Sequence, residues 1–183
     1  MKGLIKGVVT LAVVAFLAAY FGTPFLAVNN LVTAAKAGDE AALERLVDFP
    51  AFRDSLKDEL TARLMAEARS DPRLNDSALG GLGMMLGPML VGGAVDALVT
   101  APTIASMVRT ADTPDPTDTS PATPAPEEDR ADIRQSYGYR DLNTFVLSLT
   151  DPERPTQTLK LLMKRQGLFV WKLAGVDLPD AAP

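Results

Sequence analysis

The chain contains no cysteine and no histidine. The first absence removes disulfides, zinc–thiolate sites, thiol nucleophiles and a lipid-modified cysteine, and leaves the redox compartment open. The second removes the commonest general base, the commonest metal ligand and the usual titrating group near neutrality. A basic patch with interleaved aromatics is also missing, which argues against a nucleic-acid partner. The net charge of −5 is local: Thr110 to Asp132 holds seven acids against one base, so the rest is close to neutral and has no strong field to steer an anion. No Gly-x-Ser-x-Gly, phosphate-loop or calcium-loop pattern occurs. An enzyme built on this chain would have to use Asp, Glu or Ser. The adjacent acids Asp58 and Glu59 do not converge on one atom, because neighbours on a helix point about 100° apart. The expectation is a non-catalytic protein with no cofactor and no metal.

What is present begins with an uncharged run. After Lys2 and Lys6 no charge appears until Lys36. Gly7 to Phe21, extended through Phe25 to Val28, supplies the roughly 20 apolar residues a bilayer span needs. The two lysines favour a cytoplasmic N-terminus with the chain exported beyond the span. A cleaved secretory signal fits less well, since Phe16, Tyr20 and Phe21 crowd the positions where cleavage wants small residues. A buried helix is the third reading.

Thr23-Pro24 reads as a helix start. Phe25, Val28, Leu31, Val32 and Ala35 then share one face, opposite Asn29, Asn30, Thr33 and Lys36. Gly38 is placed to end this helix and Asp39 to cap the next, whose inward residues are Leu43, Leu46 and Val47. Asp48 caps a third helix, in which Phe49, Phe52, Leu56, Leu60 and Leu64 recur at helical spacing. SDPRLND follows as a loop.

Tyr20 with TPFLAVNNLVTAAKAGDEAALERLVDFPAFRDSL resembles the opening of a bacterial family catalogued only as domain of unknown function twenty-nine thirty-nine. The resemblance rests on Tyr20 and Pro24, Ala35 to Asp39, Leu43 to Pro50 and Arg53 to Leu56. Later it rests on Asp96 to Thr100, Trp171 to Leu173 and Leu178-Pro179. Thr100 is followed by Ala101-Pro102 where the family tends to have Thr-Pro directly, and the acidic middle is not covered. The resemblance implies a membrane-anchored or exported envelope protein. It brings no activity and no site residues.

Ser77 to Val95 is a second uncharged stretch, with six glycines and Pro88. Its length just reaches across a bilayer, and Gly83-x-x-x-Gly87 is a pattern of packed membrane helices. Gly and Pro weaken such a helix, and no Trp, Tyr, Lys or Arg anchors its ends. A malleable segment of the extramembrane domain is the preferred reading. A wall for a greasy ligand and a second span are the alternatives. Met84, Met85 and Met89 adapt to irregular surfaces and are candidate ligand or partner contacts.

Residues 110–132, with five prolines, have almost nothing to bury and are expected to be a disordered acidic linker. The period then changes to two. LNTFVLSLT, QTLKLLMK and LFVWKLAGV form a three-stranded (or larger) antiparallel meander, with Phe145, Leu147 and Leu149, then Leu159, Leu161 and Met163, then Phe169, Trp171 and Leu173 on one face. Arg165-Gln166-Gly167 reads as a tight hairpin with Gly167 at positive φ. Trp171 is core by preference and otherwise a pocket wall.

The expected architecture is α+β: an anchor or signal over 1–23, a helical part over 24–109, the linker, and the meander over 133–179 completing the same domain. The order is cystatin-like by topology alone. The chain is expected to be a single-pass inner-membrane protein facing the periplasm, anchored through its N-terminal helix. Its role is binding an envelope partner or envelope maintenance. The alternative is a carrier or sensor of a hydrophobic ligand held between helices and sheet.

Overall fold

A computed structural model describes residues 2–70, 78–110 and 133–179. The expected loop after Ser70, the acidic linker after Thr110, and the side chains of Met84 and Met85 lie outside the described residues. Among the described residues five helices precede a four-stranded sheet: α1 Lys2–Ala37, α2 Glu40–Leu46, α3 Phe49–Ser70, α4 Ala78–Leu98, α5 Ala101–Thr110, β1 Arg134–Asp141, β2 Thr144–Asp151, β3 Arg154–Arg165 and β4 Trp171–Asp177. The sheet is an antiparallel meander in the order β1-β2-β3-β4, so the fold is α+β.

The helix α1 is continuous through Pro24, where the sequence suggested a new start. Proline removes the amide that would bond to the carbonyl of Tyr20. The hydroxyl of Thr23 donates to that carbonyl instead, at 3.4 Å, and the Pro24 ring is fully buried. Packing around the ring keeps the turn helical. Gly38 ends α1 at φ 67°, with Gly38 N donating to Ala35 O and Asp39 N to Ala34 O. This is the Schellman arrangement, and its left-handed residue is why glycine stands there. Asp39 Oδ1 accepts from Ala42 N at 2.9 Å to cap α2, and Asp48 Oδ1 accepts from Ala51 N at 3.3 Å to cap α3.

The core lies between one sheet face and the helices. Val28, Leu31, Ala34 and Ala35 of α1, Leu43 of α2, Val47 and Ala105 of α5 meet Phe145, Leu147, Met163, Trp171 and Leu173. The inward sets on β2 and β3 follow the alternation of the sequence. On β4 the strand begins only at Trp171, and residues 166–170 form a loop. The expected tight turn is therefore longer, and Gly38 is the glycine with positive φ among the described residues. The strand β1, RQSYGYRD, adds the fourth member of the sheet. It was invisible to hydropathy because it is polar and mostly exposed.

The free edge of β4 is covered. Val47 bridges Leu173 in parallel, Asp48 N donates to Leu173 O at 2.8 Å, and Ser55 Oγ accepts from Val176 N at 3.0 Å. The chain from α2 into α3 thus occupies backbone groups that an exposed edge would leave unpaired. Further along, α3 pairs with α4 through Lys57 and Asp96 at 2.7 Å, and Arg53 Nε donates to Val99 O at 2.9 Å. Lys57 thus reaches across from α3 to α4.

Candidate functional site

Where α1 crosses the sheet, nearly all the aromatic side chains of the protein converge. Phe16, Tyr20, Phe21 and Phe25 lie along one helix. Tyr137 and Tyr139 of β1, Phe145 of β2, Phe169 of the β3–β4 loop and Trp171 of β4 answer them. Phe21 meets Tyr139 edge-on at 5.8 Å, Phe25 meets Phe145 at 4.7 Å, and Phe16 meets Phe169 at 5.8 Å. Such edge-on pairs are worth about 0.5–1.5 kcal/mol each beyond the area they bury. Tyr139 also donates its hydroxyl to Phe21 O at 3.0 Å. Burial raises the Tyr139 pKa, partly opposed by the nearby Arg165 charge, so the hydroxyl remains a neutral donor.

Arg165 organises the seam. Its guanidinium lies 3.9 Å from the Tyr20 ring centre and 4.2 Å from that of Trp171. Nε donates to Leu142 O at 3.1 Å, and Nη1 donates to Leu168 O. Nη2 is buried with no hydrogen-bond partner among the described residues, and the two aromatic faces take up its charge. One side chain therefore fastens the β1–β2 turn, the β3–β4 loop and the N-terminal helix together. Trp171 Nε1 donates to Thr23 Oγ1 at 3.2 Å, adding a second tie between helix and sheet.

The sequence-derived candidates fall in different places. Trp171 is 2% exposed and belongs to the core, while Met89 is 73% exposed and Leu90 beside it is similarly bare. Three open depressions of about 390, 500 and 340 Å³ lie between α1 and α2, beside Asp48 and Lys172, and on the outer face of β1–β3. Neither Met89 nor Trp171 lines any of them. The sequence places Arg165 in a tight turn, whereas in the structure it ends β3 and reaches back over the helix. The local signal is weak: Arg165 follows Lys164 and precedes the apolar Leu168, Phe169 and Val170.

Among the described residues no three acids, histidines or cysteines are grouped to hold a metal ion. Asp141 has a lowered pKa because the Asn143 amide, then the Thr144 hydroxyl, donate to its carboxylate. That is turn chemistry at an exposed hairpin.

Among the described residues α1 is the one helix that is by itself long and apolar enough to cross a bilayer, and none of its apolar window is buried in the protein. Segments Leu86–Leu98 and Ala101–Val108 reach such a length only as a pair, and they are bent by 76°. Neither a curated protein nor a solved structure matches the chain. The family described as "Protein of unknown function (DUF2939)" matches residues 13–107, a stretch that starts inside the apolar half of α1 and stops before the sheet. The match covers more than half of the 183 residues, and the chain belongs to this family of proteins of unknown function.

Proposed function

We propose that this protein is a single-pass inner-membrane protein whose α+β domain faces the periplasm and acts as a non-catalytic binding or envelope-maintenance module. The observation that carries the reading is the division of labour along α1. Leu4, Val8, Leu11 and Val14 are bare apolar residues, whereas Val28, Leu31 and Ala35 of the same helix are core. An uncovered apolar half-helix is costly in water and favourable in lipid. Lys2 and Lys6 favour a cytoplasmic start. Cleavage after Ala18 or Ala19 would leave Phe169 without its helix partner Phe16, which favours an anchor over a removed signal. The family match starting at residue 13 supports the same reading, since it includes part of the apolar half.

A non-catalytic role is supported by the chemistry on display. Among the described residues the two groups with displaced titration, Tyr139 and Asp141, serve a helix–sheet hydrogen bond and a turn. A dual reporter fused after Pro183, active on only one side of the inner membrane, tests the topology. Activity on the outer side is expected. Activity on the inner side would overturn the single-span, periplasm-facing reading.

A further inference from the structure

We infer that the β1–β2 turn and the β3–β4 loop form an apolar collar that inserts into the lipid interface around α1, giving the domain a second membrane contact. The inference rests on α1 being a membrane anchor. Both connections lie at the same end of the meander, and Arg165 binds a carbonyl from each. Their tips are apolar and open: Leu142 is 62% exposed, Leu168 63% and Phe169 43%, with Val170 also exposed. They do not lie on a remote surface. Phe169 packs on Phe16, well inside the apolar run.

Helix length makes the contact hard to avoid. Ten residues separate Lys6 from Phe16, about 15 Å of helix, and even Lys2 adds only about 6 Å. The hydrocarbon core is about 30 Å thick, and tilt only lengthens the requirement. A slab measured from Lys2 or Lys6 reaches roughly Gly22 or Leu26, so the level of Phe16 and Phe169 falls below its outer boundary. The chemistry of the end suits an interface rather than the bilayer centre. Asp141, Asn143 and Gln166 flank the apolar tips and hold the penetration to the headgroup–acyl boundary, about 5–10 Å deep. Tyr20 and Tyr139, both half-buried, supply the aromatic rings expected at that depth. Arg165, charged but wrapped by two rings and two carbonyls, presents little bare charge to lipid. An exposed Leu-Phe-Val tip, otherwise an aggregation hazard, is thereby covered.

The absence of native cysteine permits single-site labelling of the full chain. Phe169→Cys, Leu168→Cys, Val13→Cys and Glu153→Cys would each carry an environment-sensitive fluorophore in vesicles of phosphatidylcholine and phosphatidylglycerol. Glu153 lies in the β2–β3 turn, at the opposite end of the sheet. The expected result is a blue-shifted emission at 169 and 168 that is lost when lipids carry a quencher high on the acyl chain, with no such loss at 153. Two tip positions guard against one variant failing to fold. Water-like, unquenched labels at 168 and 169 beside a quenched label at 13 would overturn the collar and leave the anchor standing. A blue-shifted tip that lipid quenchers do not reach would mean protein cover, and would overturn it too. An unquenched label at 13 would remove the anchor, and the collar with it.

Discussion

Gly175 sits where β4 and α3 come closest. A Cβ placed there would stand 3.0 Å from Ser55 Oγ and 3.3 Å from Leu162 Cδ1. The same Ser55 hydroxyl accepts from Val176 N and donates to Val176 O, so it has no free rotation with which to yield. Gly175→Ala is expected to destabilise the domain by about 1–3 kcal/mol through overpacking. Ser55→Ala leaves the Val176 amide unpaired at a buried edge, at a similar cost of about 1–3 kcal/mol. Because both changes act on one contact, the double variant should lose less than the sum. Denaturant titration of the three variants checks this, and strict additivity would show that the two residues act separately. A close approach of this kind leaves no trace in hydropathy. LAGV reads as an unremarkable strand end, and the bulge that inserts Ala174 between the pairs Met163–Leu173 and Leu162–Gly175 is a property of the assembled sheet. Arg165 is the complementary case. Its partners come from residues 20, 142, 168 and 171, and the carbonyl partners at 142 and 168 have no side-chain signature at all. Arg165→Gln would lose both cation–π contacts and is expected to cost about 1–3 kcal/mol. Its sharper signature would be faster proteolysis at Leu142 and Leu168, which the guanidinium holds down together.

Elements were legible where one physical signal dominated. The caps Asp39 and Asp48 and the stop at Gly38 could be read directly, because a side-chain acceptor before a helix and a left-handed glycine after it are local requirements. The inward faces of β2 and β3 followed from alternation. Three elements resisted for stated reasons. Thr23-Pro24 has the composition of a helix start, and only the tertiary burial of Pro24 carries α1 through it. Strand β1 has little apolar alternation because its outer face is open to water and its inner face offers tyrosines. The β3–β4 loop is apolar enough to imitate a strand. The β1–β2 hairpin is instead set by Asp141, whose Oδ1 accepts from Asn143 N at 2.8 Å. Asp151 does the same for Glu153 N in the next turn, at 2.9 Å. The Asp141 pKa is lowered by the Asn143 and Thr144 donors, so the folded form holds the carboxylate more strongly than the unfolded one. Its contribution is complete above the unfolded carboxylate range and is lost as pH falls through the lower folded value. Asp141→Asn keeps an acceptor oxygen but no longer titrates. Thermal midpoints followed downward from pH 6 should therefore fall less steeply below about pH 4 in Asp141→Asn than in the parent. Parallel curves would show that the turn does not sense the charge.

At the scale of the whole molecule, α1 is bare and apolar in its first half and core in its second, and the two halves should be separable. Removing residues 1–22 would delete the bare apolar half and the ring contacts of Phe16, Tyr20 and Phe21. It would leave Thr23 for Trp171, Pro24 in its buried site, and Val28, Leu31 and Ala35 in the core. Such a chain should fold as a soluble domain of lower stability, since it loses several contacts worth about 0.5–1.5 kcal/mol each. Removing residues 1–37 takes away Val28 and Leu31 outright, when truncating a single buried leucine already costs about 2–5 kcal/mol. With typical domain stabilities of about 5–15 kcal/mol, the shorter chain should not fold. Far-ultraviolet circular dichroism and urea titration of the two truncations decide the matter. If both fold with equal stability, the second half of α1 is not part of the core. If neither folds, the domain depends on the membrane-proximal seam, and the Arg165 cluster contributes more than its pairwise contacts imply. Cooperative unfolding after removal of residues 1–22 and none after removal of residues 1–37 is the outcome that follows from a helix that is bare before Phe16 and core after Pro24. On the proposed anchor, one continuous helix would then fix the height and the rotation of the domain above the bilayer, because no break separates its bare half from its core half.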